Sequence, residues 1–173
     1  MIKRTSSAIA LVIASFMCSA SLPARAQQKT APNEVGVVYY SDSGVFKPLD
    51  KEPSTQGGRI NYAARVERAH AAVRLPSGQA EVFSVCGVDP TRFKLYKFKS
   101  EGNSRTLTIS RNNMLIGGSK VVVSKSEVPL SIKREESGCF TLTPRKALDD
   151  GEFGFSPLES MDVFMFGVGD PKY

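Results

Sequence analysis

The sequence predicts an all-β protein, more specifically a single-domain antiparallel β-sandwich of about ten short strands. Short segments rich in β-branched and aromatic residues recur along the chain, and Gly, Pro, Asn or Asp interrupts them about every 8 to 12 residues. No segment keeps a clean helical period over several turns, and no internal repeat or low-complexity linker divides the 173 residues. These observations favour one core built from many strands.

Individual segments identify the strands. The stretch VGVVYYSDSGVFKPL, which starts at Val35, predicts a hairpin because the turn-forming SDSG separates two apolar runs. The stretch RFKLYKFKS (92–100) alternates apolar and basic residues with one slip, which is typical of a half-buried strand. SRTLTISR (104–111) repeats the pattern, with its leucine and isoleucine on one face and Arg105 assigned to the polar face.

Two further segments leave alternatives open. For INYAARVERAHAAVRL (60–75) we expect a strand, a loop and a second strand, because its apolar residues form no clean helical stripe. Its alanine content keeps a helix as the alternative. The segment MDVFMFGVG (161–169) is apolar on both faces, which indicates a central strand or, alternatively, an edge strand offered to a partner.

The N-terminus has the pattern of a secretory signal peptide. A basic start is followed by the apolar run AIALVIASFM and by small residues up to Ala26, where we predict cleavage. We therefore expect a signal peptide at 1–26, a flexible arm at 27–34 and the β-sandwich domain at 35–173. The mature protein should be periplasmic or secreted, without an integral membrane segment.

The charge of the mature chain argues against nucleic acid as a partner. The formal net charge is +6, and it falls to +3 without the leader, which carries three basic residues and no acidic one. The remaining basic residues are interspersed with acidic ones, as on an ordinary solvated surface.

Two cysteines remain after processing, Cys86 and Cys139. An even pair in an oxidising compartment predicts one disulfide bond. Two buried free thiols are the alternative.

The segment CFTLTPRKALDDGEFGF (139–155) contains an acidic cluster. CFTLTP and GEFGF are predicted strands, and the aspartates before Gly151 are typical of the turn between them. A calcium site would need six to eight oxygen ligands, more than this stretch supplies. We expect no metal and no cofactor.

Catalytic patterns are weak. His70 is the one histidine, it is expected at the surface or rim, and no Gly-x-Ser-x-Gly elbow is present. A glycosidase would need two carboxylates at a set separation, and the chain offers several glutamates that the sequence cannot bring together: Glu127, Glu135, Glu136 and Glu152. We predict that the protein is not an enzyme.

Three segments carry a resemblance to a known family. GVVYYSDSGVFKPL (36–49), AEVFSVCGVDPTRFKLYKFK (80–99) and CFTLTPRKALDDGEFGF (139–155) resemble a family of bacterial exported domains of uncharacterised function. The ending LDDGEF (148–153) is also similar to the closing hairpin of secreted immunoglobulin-like sandwiches. The resemblance covers most of residues 35–157 and implies an architecture, but no catalytic residues.

Together these patterns predict a non-catalytic binding or accessory module of the bacterial envelope, with an envelope protein or glycan as partner. The alternatives are a small cell-wall hydrolase and an inhibitor or immunity protein of a secreted enzyme, which would use a projecting loop around Asn112–Met114. The candidate binding residues lie in the first hairpin and in the basic strand: Tyr39, Tyr40, Phe46, Arg92, Lys94 and Lys97.

Overall fold

The computed structural model describes residues 32, 34–112, 118–157 and 160–171, with the backbone alone at position 112. The predicted signal peptide, most of the predicted arm and most of the Asn112–Met114 loop lie outside the described residues.

The described chain consists of strands and two short 3-10 helices, Pro90–Arg92 and Val123–Ser126. The strands are β1 Val38–Asp42, β2 Val45–Pro48, β3 Asp50–Gly57, β4 Asn61–Glu67, β5 Arg74–Leu75, β6 Phe83–Val85, β7 Phe93–Glu101, β8 Ser104–Asn112, β9 Ser119–Val121, β10 Glu127–Val128, β11 Leu130–Arg134, β12 Phe140–Pro144, β13 Gly151–Pro157 and β14 Asp162–Val168. This confirms the all-β prediction, with more and shorter strands than the sequence indicated.

Six of the strands close into a barrel. They pair in the order β7-β13-β14-β3-β4-β8, and β8 pairs back with β7 through a tight turn at Gly102. A second, five-stranded sheet has the order β11-β12-β6-β1-β2. Apart from β5, which runs parallel to β14, the named strands pair antiparallel.

The prediction of a sandwich is corrected by this closure. Two sheets do pack against each other, but the larger one curls until β8 is hydrogen-bonded to β7, with β9 and β10 outside the closed barrel. Closure removes two strand edges that would otherwise be exposed to pairing with other chains. The alternation of residues along each strand is the same in a barrel and in a sandwich, so it did not distinguish the two.

The barrel wall nearest the second sheet, β7, β13 and β14, contributes buried residues from both of its faces. One face packs on the five-stranded sheet, where Phe83 of β6 lies 4.8 Å from Phe155 and 4.9 Å from Phe166 between ring centroids. The other face lines the barrel interior with Phe98 and Met165. The molecule therefore has two hydrophobic cores, one between the sheets and one inside the barrel.

Segment 60–75 forms a strand, a loop and a short strand, as predicted. The loop, residues 68–73, lies across one end of the barrel, and we call it the plug. Ser100 Oγ donates a hydrogen bond to the carbonyl of Ala69 (3.0 Å), and Ala71 packs inside the barrel. The plug closes this end of the barrel.

Several further predictions are confirmed. β1 and β2 form a hairpin whose two turn residues, Ser43 and Gly44, both have positive φ, the conformation that suits a two-residue hairpin turn. β14 is buried along almost its whole length between β13 and β3. Cys86 and Cys139 form a disulfide bond beside the paired strands β6 and β12.

Candidate functional site

A groove runs along the seam where the barrel meets the five-stranded sheet. The chain crosses from one to the other at Pro129, between β10, which pairs with β7, and β11, which pairs with β12. Two depressions lie on either side of this crossover and share Glu127, Val128, Pro129 and Arg145. We call them together the seam groove, and we name its two parts the Lys94 side and the Lys97 side.

The Lys94 side has a volume of about 290 Å³ and the Lys97 side about 370 Å³. On the Lys94 side, Lys94 Nζ forms an ion pair with Glu127 (3.1 Å). Its lining also includes Leu95 and Ile132. Lys94 therefore already has an acidic partner, and Arg145 is the further cation that this side shares with the Lys97 side.

The Lys97 side combines an apolar floor with basic side chains. Phe153 and Leu148 are buried at its base. Lys97, Arg145 and Lys146 line it and form no ion pair with any residue that the structure describes. Lys97 Nζ lies 5.4 Å from the centroid of the Phe153 ring, within the range of a cation–π contact. This side therefore carries positive charge next to exposed apolar surface.

The backbone fixes the position of Arg145. Its N–H donates to the carbonyl of Pro129 (2.9 Å), and its Nε donates to the carbonyl of Leu130 (3.3 Å). These bonds tie the loop after β12 to the crossover between the sheets. The guanidinium therefore stays at the groove, where it can meet an anion.

The predicted basic residues are not gathered in one place. Lys94 and Lys97 lie on the two sides of the seam groove. Arg92, at the end of a 3-10 helix, lines a separate depression with Lys51 and Phe164. Arg92 therefore lies apart from the seam groove, whereas Lys94 and Lys97 line its two sides.

The three aromatic candidates lie on the five-stranded sheet, whose β1–β2 edge is opposite the β11 edge beside the groove. Tyr39 is buried, and its hydroxyl accepts a hydrogen bond from the N–H of Glu34 (3.3 Å). Tyr40 is half-buried against the main core. Phe46 is half-buried in a broad depression on the outer face of this sheet. Two of the three therefore serve packing, and none lines the groove.

The sequence analysis missed Arg145 and Lys146 as site residues. The dipeptide follows Pro144 directly and was treated as part of the turn that ends in Asp149 and Asp150. The sequence feature that could have indicated this dipeptide as part of a site is its position, two adjacent cations between a strand end and the apolar Ala147–Leu148. Recognising it required knowing that this loop lies beside β7.

Glu152, which follows the two aspartates of this loop, belongs to the strand predicted from GEFGF. It is buried in β13 and faces the barrel interior. Its carboxylate accepts hydrogen bonds from Arg74 Nη1 (2.7 Å) and the N–H of Ala71 (2.9 Å), and it lies 3.3 Å from His70 Nδ1. Glu152 fastens the plug, and His70 is half-buried at the barrel rim as part of this cluster.

A second buried charge cluster lies in the same barrel. Arg105 was assigned to the polar face, but it is fully buried and points inward. Its Nη2 donates to Glu52 (2.6 Å) and to the carbonyl of Glu67 (2.9 Å), and its Nε donates to the carbonyl of Arg68 (3.0 Å). Arg68 also pairs with Glu52 (3.0 Å). This cluster ties the other end of the plug to β3 and β8.

Glu81 is a buried acid whose Oε1 has no hydrogen-bond partner in the described part of the chain. Burial raises the pKa of the Glu81 carboxyl above its ordinary value of 4.5. The folded state therefore holds this proton more tightly than the unfolded state. Its contribution to stability falls as the pH rises from about 4.5 through the raised pKa, and it stays low above that.

We expect the Glu81→Gln variant to be more stable than the wild type at pH 7 by about 1 kcal/mol, because a neutral amide costs less to bury than a carboxylate. The advantage should disappear at pH 4, where the wild-type carboxyl is protonated. Urea unfolding at both pH values measures this, with the exposed Glu136→Gln as control. An equal difference at the two pH values would contradict it.

In the part of the chain that the structure describes, no three His, Cys, Asp or Glu side chains converge to hold a metal ion. None of its helices has the length and apolar character needed to cross a membrane.

Comparison with known proteins gave no match: no family model fits the chain, and neither a curated protein nor a solved structure is significantly similar to it.

Proposed function

We propose that this protein is an exported, non-catalytic binding module of the bacterial envelope, and that its binding surface is the seam groove. The partner is an acidic component of the envelope, carried by a protein or a glycan. The periplasmic or secreted location rests on the leader pattern at 1–26, and the disulfide bond fits an oxidising compartment.

One observation carries the proposal. Lys97, Arg145 and Lys146 surround one depression without an ion-pair partner among the described residues. Clustered cations beside low-dielectric walls concentrate a positive potential that attracts anions. Two acids line the same depression, but Glu127 is paired with Lys94, and the single charge of Asp149 is outnumbered by the three cations.

Two of the three buried glutamates, Glu52 and Glu152, are bound in ways that support a structural role over a hydrolytic one. Glu152 is bound by Arg74, the backbone of Ala71 and His70, and Glu52 is bound by two arginines. Both glutamates hold the plug in place inside the barrel. Their contacts are those of structural ion pairs. The feature available for binding a partner is the positive potential of the seam groove.

The test is capture of envelope components by the tagged protein and by two charge-reversal variants. The groove variant, Lys97→Glu with Lys146→Glu, replaces two positive charges of the groove with negative ones. The hairpin variant, Arg111→Glu with Lys120→Glu, makes the same charge change on the β8–β9 hairpin. We expect the wild type and the hairpin variant to retain an acidic component that salt releases, and the groove variant to lose it by about tenfold or more. Equal retention by both variants would overturn the proposal.

A further inference from the structure

We infer that the Lys97 side of the seam groove binds a small anionic amphiphile, a molecule with an apolar body and one acidic end group. This rests on the proposed function for its biological setting and goes beyond it, by assigning a small-molecule ligand to the same groove. It concerns a single molecule held in the groove, as distinct from a membrane surface.

The lining determines this choice. Half of the lining residues are apolar, and the other half are charged. The apolar ones are Val128, Pro129, Ala147, Leu148 and Phe153. Pro129 and Ala147 are exposed and Val128 is half-buried, so the apolar surface is open to a ligand. Removing such surface from water favours binding of an apolar group.

The cations stand beside this apolar surface. Lys97 and Lys146 belong to different segments, β7 and the loop after β12, and Arg145 is fixed to the crossover by two hydrogen bonds. An acidic group placed among them would gain charge-assisted hydrogen bonds while the rest of the ligand covers the exposed apolar surface of Pro129 and Ala147. A ligand with charge alone leaves that surface in water, and a ligand with an apolar body alone leaves the cations without a counter-ion.

The size of the site fits a small ligand. Its volume of about 370 Å³ lies at the lower end of the roughly 300–1,000 Å³ of ligand pockets. The neighbouring Lys94 side, about 290 Å³, gives an extended body room to continue past the crossover.

The experiment uses the protein purified after expression of the complete chain, with anilinonaphthalene sulfonate as the probe. This dye is itself an anionic amphiphile and becomes fluorescent in apolar sites, and the chain has no tryptophan to interfere. Decanoate, decanol and decyltrimethylammonium then compete with the dye at concentrations below micelle formation. We expect decanoate to displace the dye best, decanol about tenfold more weakly, and the cation not at all.

Three variants distinguish the contribution of the basic side chains to ligand binding from that of the apolar surface. Lys97→Gln with Lys146→Gln should weaken decanoate about tenfold and leave decanol unchanged. Ala147→Trp should fill the depression and abolish binding of both. Arg111→Gln with Lys120→Gln, on the β8–β9 hairpin, should bind as the wild type does. Unfolding midpoints of all variants verify that each is folded.

The inference is overturned if decanol competes as well as decanoate, if the hairpin variant weakens decanoate as much as the groove variant, or if the protein binds anionic vesicles but not monomeric decanoate. Its failure is distinguishable from failure of the proposed function. Loss of envelope capture in the Lys97→Glu, Lys146→Glu variant without any decanoate binding would leave the binding module standing with a ligand of another class. Decanoate binding without envelope capture would support the amphiphile site alone.

Discussion

Replacing Arg105 with methionine is expected to lower the free energy of unfolding by about 3–5 kcal/mol. Arg105 is fully buried in the barrel, where it binds the buried carboxylate of Glu52 and the carbonyls of Glu67 and Arg68. Without the guanidinium, the buried side chain of Glu52 is left with Arg68 as its remaining ion-pair partner, and Arg68 is largely exposed. Removing one partner of a buried pair is far costlier than replacing both.

Denaturant unfolding measures this loss, and two further variants interpret it. Glu52→Leu combined with Arg105→Met removes both charges and should recover most of the stability, to within about 2 kcal/mol of the wild type, since two backbone carbonyls still lose their donor. Arg65→Met, on the exposed face of β4, should change stability by less than about 0.5 kcal/mol. A loss below about 1 kcal/mol for Arg105→Met would mean that the buried pair does not hold the plug.

The buried ion pair between Arg105 and Glu52 was not predicted from the sequence. Residues two apart in a strand point to the same face, so Arg105 shares the face of Leu107. Its inward orientation was therefore predictable once Leu107 was assigned to the core. It was placed on the polar face because an unpaired arginine is almost never buried. Its partner Glu52 lies 53 positions earlier, on a strand that does not pair with β8. No local sequence pattern therefore predicted the ion pair.

The slip in the alternation of apolar and basic residues along β7 has a structural cause. Phe93 and Leu95 face the five-stranded sheet, whereas Tyr96 and Phe98 face the barrel interior. The strand passes from burial on one face to burial on the other because only part of its length lies under the second sheet. A half-buried strand was the right local prediction, but the slip marks a wall shared by two cores.

Strand positions were predictable for a simple physical reason. Turn residues and the two-residue period are local properties, and they identified β1, β2, β7, β8, β12, β13 and β14. Strand pairing is not local: β6 lies between β1 and β12, and β14 lies between β13 and β3. The seam groove is a product of that pairing, since Lys97 and Lys146 meet across 49 positions of sequence.

Removing the disulfide bond with Cys86→Ala and Cys139→Ala is expected to destabilise the protein by about 4 kcal/mol in the chain-entropy model. The two cysteines are 53 residues apart in sequence. The chain between them contains β7, β8, β9, β10 and β11, so it leaves the five-stranded sheet, builds a wall of the barrel and returns. The bond therefore closes the loop that joins the two halves of the molecule.

The consequence is measurable as a lower midpoint of thermal unfolding, by roughly 8–16 °C for a chain of this size. Dithiothreitol should lower the wild-type midpoint by a similar amount and leave the double variant unchanged, which separates loss of the cross-link from loss of buried sulfur atoms. If the reductant leaves the wild-type midpoint unchanged at full reduction of the thiols, the cross-link contributes nothing to stability. Because the seam groove is built from segments inside and outside this loop, Lys97 within it and Lys146 beyond it, we expect the reduced protein to bind the anionic dye in the groove more weakly at temperatures where the oxidised protein is still folded.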